Sequence, residues 1–254
     1  MNISQLTSST STSTSTNANT TSSQASAQTS AKATSSASPA SLAMQKAGAR
    51  LQSQLDTTSA QLSSFGKLKS SVSDAQLAAK TLGGLTATSS VADVRSAADR
   101  FLTNFNAAVT TAKAAASVAG GSAAEASNAN RVTADLNRTL RSNTANMDAL
   151  RKIGIKQLSD GTLSVDVTKF DAAQKANPAA VQSALAKIGQ LVDKAATKEL
   201  ATGGNVSDSM ASLGKRASTL QAQQAGMLSM VEKLSTASSG STGYVGYGLS
   251  AYLK

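Results

Sequence analysis

From residue 39 onward, apolar side chains recur at alternating three- and four-residue steps, the spacing that lines one face of a helix packed on another. The first run opens at Pro39 and takes Leu51, Leu55, Leu62, Phe65, Val72, Ala75, Ala79 and Leu82. Thr58 and Lys69 fall at expected seam positions, and the Gly83-Gly84 pair ends the run. A second run is unbroken, through Val91, Val94, Ala98, Phe101, Phe105, Ala108, Ala112 and Ala115, and stops at Gly120-Gly121. These two helices are expected to form a hairpin. A third helix carries Val132, Leu136, Leu140, Asn143, Met147 and Leu150 on one face.

The period then changes. Ile153-Gly154-Ile155-Lys156-Gln157-Leu158 and Thr162-Leu163-Ser164-Val165-Asp166-Val167 read as two strands around Ser159-Asp160-Gly161. Asp-Gly between β-favouring runs predicts a tight hairpin with Gly161 at positive φ. Short helices follow over 168–176 and 179–198, separated by Asn177-Pro178. The last long helix takes Val206, Met210, Leu213, Ala217, Leu220, Gln224, Met227, Val231 and Leu234, with Ser207 as its expected N-cap.

The ends differ from this middle. Residues 8–38 are almost entirely Ser, Thr, Ala, Asn and Gln, too polar to offset chain entropy by burial, so 1–38 is expected to be disordered. It reads equally as a linker or as an uncleaved export signal of a type III secretion channel. Residues 237–254 are expected to form a flexible tail, too Gly-rich to hold a helix alone, in which Tyr244, Tyr247 and Tyr252 offer contacts to a partner. Between them, 39–236 forms one helical domain, and the predicted class is mainly α: long coiled-coil-like antiparallel helices with one small β-hairpin subdomain.

Composition narrows the chemistry. Aromatic residues make up 3% of the chain and Trp is absent, which favours narrow helix seams over a thick globular centre. With no Cys and no His, thiol nucleophiles, Ser-His-Asp triads and Cys/His metal sites are excluded. The 14 acidic residues form no cluster suited to a divalent metal or a glycosidase pair, so no enzyme, cofactor or metal is expected. A formal charge of +10 raises the question of nucleic acid. The densest basic stretch (Arg131, Arg138, Arg141, Arg151, Lys152) contains Asp135 and Asp148 and no aromatic to stack a base, which argues for a solvated helix face. No segment approaches the ~20 consecutive apolar residues of a membrane span, and residues 1–30 lack the basic and apolar regions of a cleaved secretory signal.

Taken in order, the pieces resemble the flagellar filament-capping protein family, also called hook-associated protein 2. Leu51-Gln52-Ser53-Gln54-Leu55 through Ser64-Phe65-Gly66-Lys67-Leu68-Lys69-Ser70 is similar to the family's Leu/Gln-rich early helix. Phe101-Leu102-Thr103-Asn104-Phe105-Asn106-Ala107-Ala108-Val109 resembles its Phe-Val-x-x-Tyr-Asn-x-Leu segment, with Phe105 at the Tyr position. The strongest match is Leu150-Arg151-Lys152-Ile153-Gly154-Ile155 followed by Asp160-Gly161-Thr162-Leu163-Ser164-Val165-Asp166, then Asn177-Pro178 and Val181. The family's large head region, expected between the first two helices, is missing: only a short Gly-Gly-Leu-Thr link joins Leu82 to Val91.

The resemblance implies an extracellular, flagellar, non-enzymatic structural protein, exported without a cleaved signal. It implies association with itself, with flagellin or other axial proteins, and with an export chaperone. Leu51, Leu55, Leu62, Phe65, Phe101, Phe105, Leu213, Leu220 and Met227 are the candidate seam and assembly residues, with intrachain core as the alternative for each. Ile153, Gly154, Ile155, Asp160 and Gly161 are the hairpin candidates. Two further classes stay open at this level: a coiled-coil factor of another type III secretion system, and a basic nucleic-acid-binding protein.

Overall fold

The computed structural model describes residues 39–86, 88–119, 122–142 and 144–250, with the side chains from 42 to 233 and that of 236. Along them run α1 (Pro39–Gly83), α2 (Val91–Val118), α3 (Ala123–Arg141), α4 (Thr144–Lys152), β1 (Ile155–Gln157), β2 (Leu163–Val165), α5 (Val167–Ala176), α6 (Pro178–Leu200) and α7 (Asn205–Ser250). The segment 1–38, Asn143 and Tyr252, and the side chains of Leu234, Tyr244 and Tyr247, lie outside the described residues.

Seams of Ala, Leu and Val bury little when only two helices meet, so several helices must share one axis to make a core. α1 supplies that axis. Its 45 residues span about 67 Å at the α-helical rise. Its second half lies antiparallel to α2, where the Ser71 and Thr111 hydroxyls meet at 3.1 Å, and to α6, where Gln76 Nε2 donates to Thr197 Oγ1 at 2.7 Å. Its first half lies along α7, where Gln224 Nε2 donates to Gln52 Oε1 at 2.9 Å. α3 packs against α2, α6 and α7 and closes the bundle. Phe65, Leu68, Val72, Leu82, Phe105, Leu136, Leu140 and Leu213 are fully buried there. Phe101 and Phe105 sit ring to ring at 5.8 Å. Burying each such Leu or Phe stabilises the fold by about 1.5–3 kcal/mol.

Several expectations need correction. The third helix is two, because α3 ends at Arg141 and α4 begins at Thr144. Ser142 Oγ donates to the Thr139 carbonyl at 2.8 Å, so a side chain takes an acceptor that a continuing helix would use. Ser207 is not the N-cap of α7: the Gly204 carbonyl accepts the first helical bond, from Asp208 N–H at 2.9 Å, and Ser207 lies within the first turn. Val91 is 61% exposed, since the capping box formed by Ser90 and Asp93 starts α2 directly before it and leaves it on the outer face. Lys69 is exposed while its neighbour Leu68 is buried, so the α1 seam shifts by one residue. The helical backbone of α7 continues to Ser250, across most of the segment read as a separate Gly-rich tail.

Candidate assembly surface

Beyond the bundle, the first half of α1 and the second half of α7 continue as a two-helix arm. Gln52 and Gln224 hydrogen-bond across it, and a methyl group at Gly48 would lie 3.3 Å from Met227 Cε, which fixes the antiparallel register. With only one neighbouring helix each among the described residues, these helices leave their seams partly uncovered. Leu51, Leu55, Ala217, Gln224 and Met227 are half-buried, while Leu228, Met230 and Val231 are 64%, 58% and 44% exposed. At 100° per residue, Met227, Leu228, Met230 and Val231 fan over about 160° of α7, wider than one facing helix covers. The heptad reading found Met227 and Val231 and missed Leu228 and Met230, which sit outside the seam; consecutive apolar residues at 230–231 and 227–228 were the available signal.

The other predicted seam residues belong to the bundle. Phe65, Phe101, Phe105 and Leu213 are buried among residues of this chain, Leu220 is nearly so, and Leu62 packs partly buried against the same core. Among the predicted assembly positions, Leu51, Leu55 and Met227 therefore keep surface that another chain could reach.

The hairpin forms where Asp-Gly predicts it, with Ile155 paired to Val165, Lys156 to Ser164 and Gln157 to Leu163. Each strand has three residues, shorter than the sequence reading, because Ile153 and Gly154 form a turn out of α4. Leu158 N–H donates to the Thr162 carbonyl at 2.8 Å, and Gly161, at φ +87°, donates to the Leu158 carbonyl at 3.1 Å, a three-residue loop with glycine in the left-handed position. Gly154 has φ +84°, and a Cβ there would stand 2.7 Å from the Asp166 carbonyl. Asp160 Oδ1 accepts from the Thr162 hydroxyl at 2.6 Å and from its N–H at 2.9 Å. Those bonds hold the Asp160 carboxyl below its ordinary range.

Two side chains to which the sequence reading assigns no structural role, Asn106 and Lys113, tie the hairpin to α2. Asn106 Oδ1 accepts from Leu163 N–H at 2.7 Å while its Nδ2 donates to the Leu163 carbonyl at 2.8 Å, completing the open edge of β2 as a strand would. Lys113 Nζ donates to the Asp160 carbonyl. An Asn within an apolar helical run, at Asn106, was the one hint.

A further polar cluster sits where α6 turns into α7. Glu199 is fully buried, with Oε2 accepting from Asn205 Nδ2 at 2.8 Å and Oε1 without a hydrogen-bond partner among the described residues. Asp135 of α3 stands beside it and takes Lys198 Nζ at 3.3 Å. Burial, reinforced by Asp135, pushes the Glu199 carboxyl up, against the pull of Asn205 and Lys198. Among the described residues no group of three or more Asp, Glu, His or Cys side chains could hold a metal, and no helix is long and apolar enough to cross a membrane.

Comparison with known proteins matches residues 75–239 to the flagellar hook-associated protein 2 C-terminus. No curated protein and no solved structure gives a match.

Proposed function

The chain belongs to the flagellar hook-associated protein 2 family, and from that premise we propose that it is a headless, cap-type structural subunit whose α1–α7 arm associates with helices of neighbouring chains. Those neighbours are copies of itself or flagellin, at the filament tip or the hook–filament junction. The observation that carries this reading is the apolar fan on α7, which α1 leaves open at Leu228, Met230 and Val231. An exposed contiguous apolar strip of this kind is what a partner helix buries. The headless description rests on the link at 84–90, which joins α1 to α2 where the resemblance places the family's head. Export through the flagellar secretion channel, with a chaperone as a further partner, goes with the same reading, and a chain without cysteine carries no disulfide to hinder threading.

The test is a double substitution, Leu228→Asp with Met230→Asp, in the full chain. Both side chains are exposed, so thermal stability should stay within about 0.5 kcal/mol of the parent. Sedimentation alone and with flagellin should show self-association and co-assembly lost. Undiminished assembly by the variant would remove the arm from the account.

A further inference from the structure

A second surface, on neither α1 nor α7, gathers charge instead of apolar area. Arg141, Thr144, Met147, Arg151, Lys156 and Gln157 line an open groove of about 440 Å³ between the end of α3, α4 and β1. We infer that this groove is a docking site for an acidic segment of another protein chain.

The argument starts from how the cations are held. Arg141 Nε donates to Gln157 Oε1 at 2.7 Å, and Gln157 Nε2 donates to Asn137 Oδ1 at 2.7 Å. That relay orients an exposed guanidinium, yet its two Nη groups have no partner among the described residues. Ordering a long Arg side chain costs rotamer entropy, and what it presents is the two-pronged donor face that matches a carboxylate. Lys156 makes no ion pair among the described residues, and Arg151 meets only the exposed Asp148, at 3.3 Å. No carboxylate lines the groove, and the half-buried Met147 gives it an apolar patch against which a side-chain stem can lie.

Two basic residues on other elements show how such cations are answered within the chain. Arg95 binds both Asp171 oxygens, at 2.7 and 3.0 Å, and Lys198 takes Asp135. In the groove, Arg141 and Lys156 have no such carboxylate among the described residues and are left for an outside anion. A second copy of this chain, carrying a net +10, is a poor source of it. A single-stranded nucleic acid gains most from a stacking surface, and no aromatic residue lines the groove. An acidic polypeptide segment matches both the charge and the mixed polar and apolar lining.

The test is fluorescence anisotropy with the full-length protein and three labelled probes: a short Glu-rich peptide containing Leu, its Gln counterpart, and a single-stranded oligonucleotide. The Glu peptide should bind, the Gln peptide should not, and Lys156→Gln combined with Arg141→Gln should weaken the Glu peptide by about tenfold, the loss expected for charge-assisted hydrogen bonds. Lys156→Gln alone, which breaks no internal bond, should weaken it in the same direction. Lys46→Gln with Lys187→Gln, equal in charge change and outside the groove, should leave binding within about twofold, since distant surface charges contribute little. Equal losses from the two pairs would mean diffuse charge and overturn the assignment. So would binding of the oligonucleotide in preference to the Glu peptide, or absence of peptide binding at low salt.

Discussion

One helix, α1, lives in two environments. From Phe65 to Leu82 its apolar face meets α2 and α6, and Phe65, Leu68, Val72, Ala75 and Leu82 are fully buried. From Leu51 to Leu55 the same kind of seam meets, among the described residues, only α7, and both leucines stay half-exposed. The residue types barely change; the number of neighbours does. A narrow Ala/Leu seam is sufficient when three or four helices surround it and insufficient when two do. The bundle thus covers its own core, while the arm carries apolar surface that no other described part of the chain covers.

The sharpest probe of that contrast is a pair of truncations. Phe105→Ala, at a fully buried ring in contact with Phe101, should cost about 3–5 kcal/mol in urea unfolding. Leu51→Ala in the arm should cost about 1 kcal/mol or less in the isolated subunit, because much of that side chain is already in water. Similar costs at the two positions would erase the distinction. Next in size is Gly161→Val. It forces a β-branched residue into the left-handed region, where its Cβ also meets the Asn137 amide, and should cost about 1–3 kcal/mol without altering arm assembly. A melting temperature equal to the parent's would mean that the hairpin tolerates the strain.

The smallest effect depends on pH. The Glu199 carboxyl is raised on folding, so the folded chain holds that proton to higher pH than the unfolded chain. Stability therefore rises as pH falls through the folded value and the gain is complete below the unfolded one. Glu199→Gln should stabilise the bundle at neutral pH and flatten that slope, since the amide carries no charge to desolvate. Asp160 acts in the opposite sense and in a lower window: its carboxyl is depressed, so its contribution is lost as pH falls through the folded value. Urea midpoints measured from about pH 8 down to about pH 2 separate the two groups by window. A Glu199→Gln variant less stable than the parent throughout would contradict the burial argument.

What the sequence revealed follows physical range. Heptad spacing located α1, α2 and α7, and Asp160-Gly161 located the hairpin, because both signals are local. The break between α3 and α4 escaped it, since one apolar face runs through both and the interruption comes from the Ser142 side chain competing for a backbone acceptor. The Gly204 start of α7 was masked by a better-looking cap at Ser207. Asn106 bracketing Leu163 joins residues far apart in sequence, and Arg141 oriented through Gln157 and Asn137 joins α3 to β1. No periodicity encodes such pairs. The division of the seam residues into bundle and arm was hidden for the same reason: the pattern states which side chains seek cover, and only the fold states how many helices supply it.

Native-state hydrogen exchange on the full chain, alone and co-assembled with flagellin, tests the central claim most directly. In the isolated subunit, amides of the bundle, around 65–82 and 98–115, should exchange only by global unfolding. Those of the arm, around 44–57 and 221–233, should exchange by local opening at much lower free energy, and their protection should rise toward that of the bundle once a partner covers the α7 fan. Arm amides as protected as the bundle in the isolated chain, or unchanged on assembly, would contradict the account.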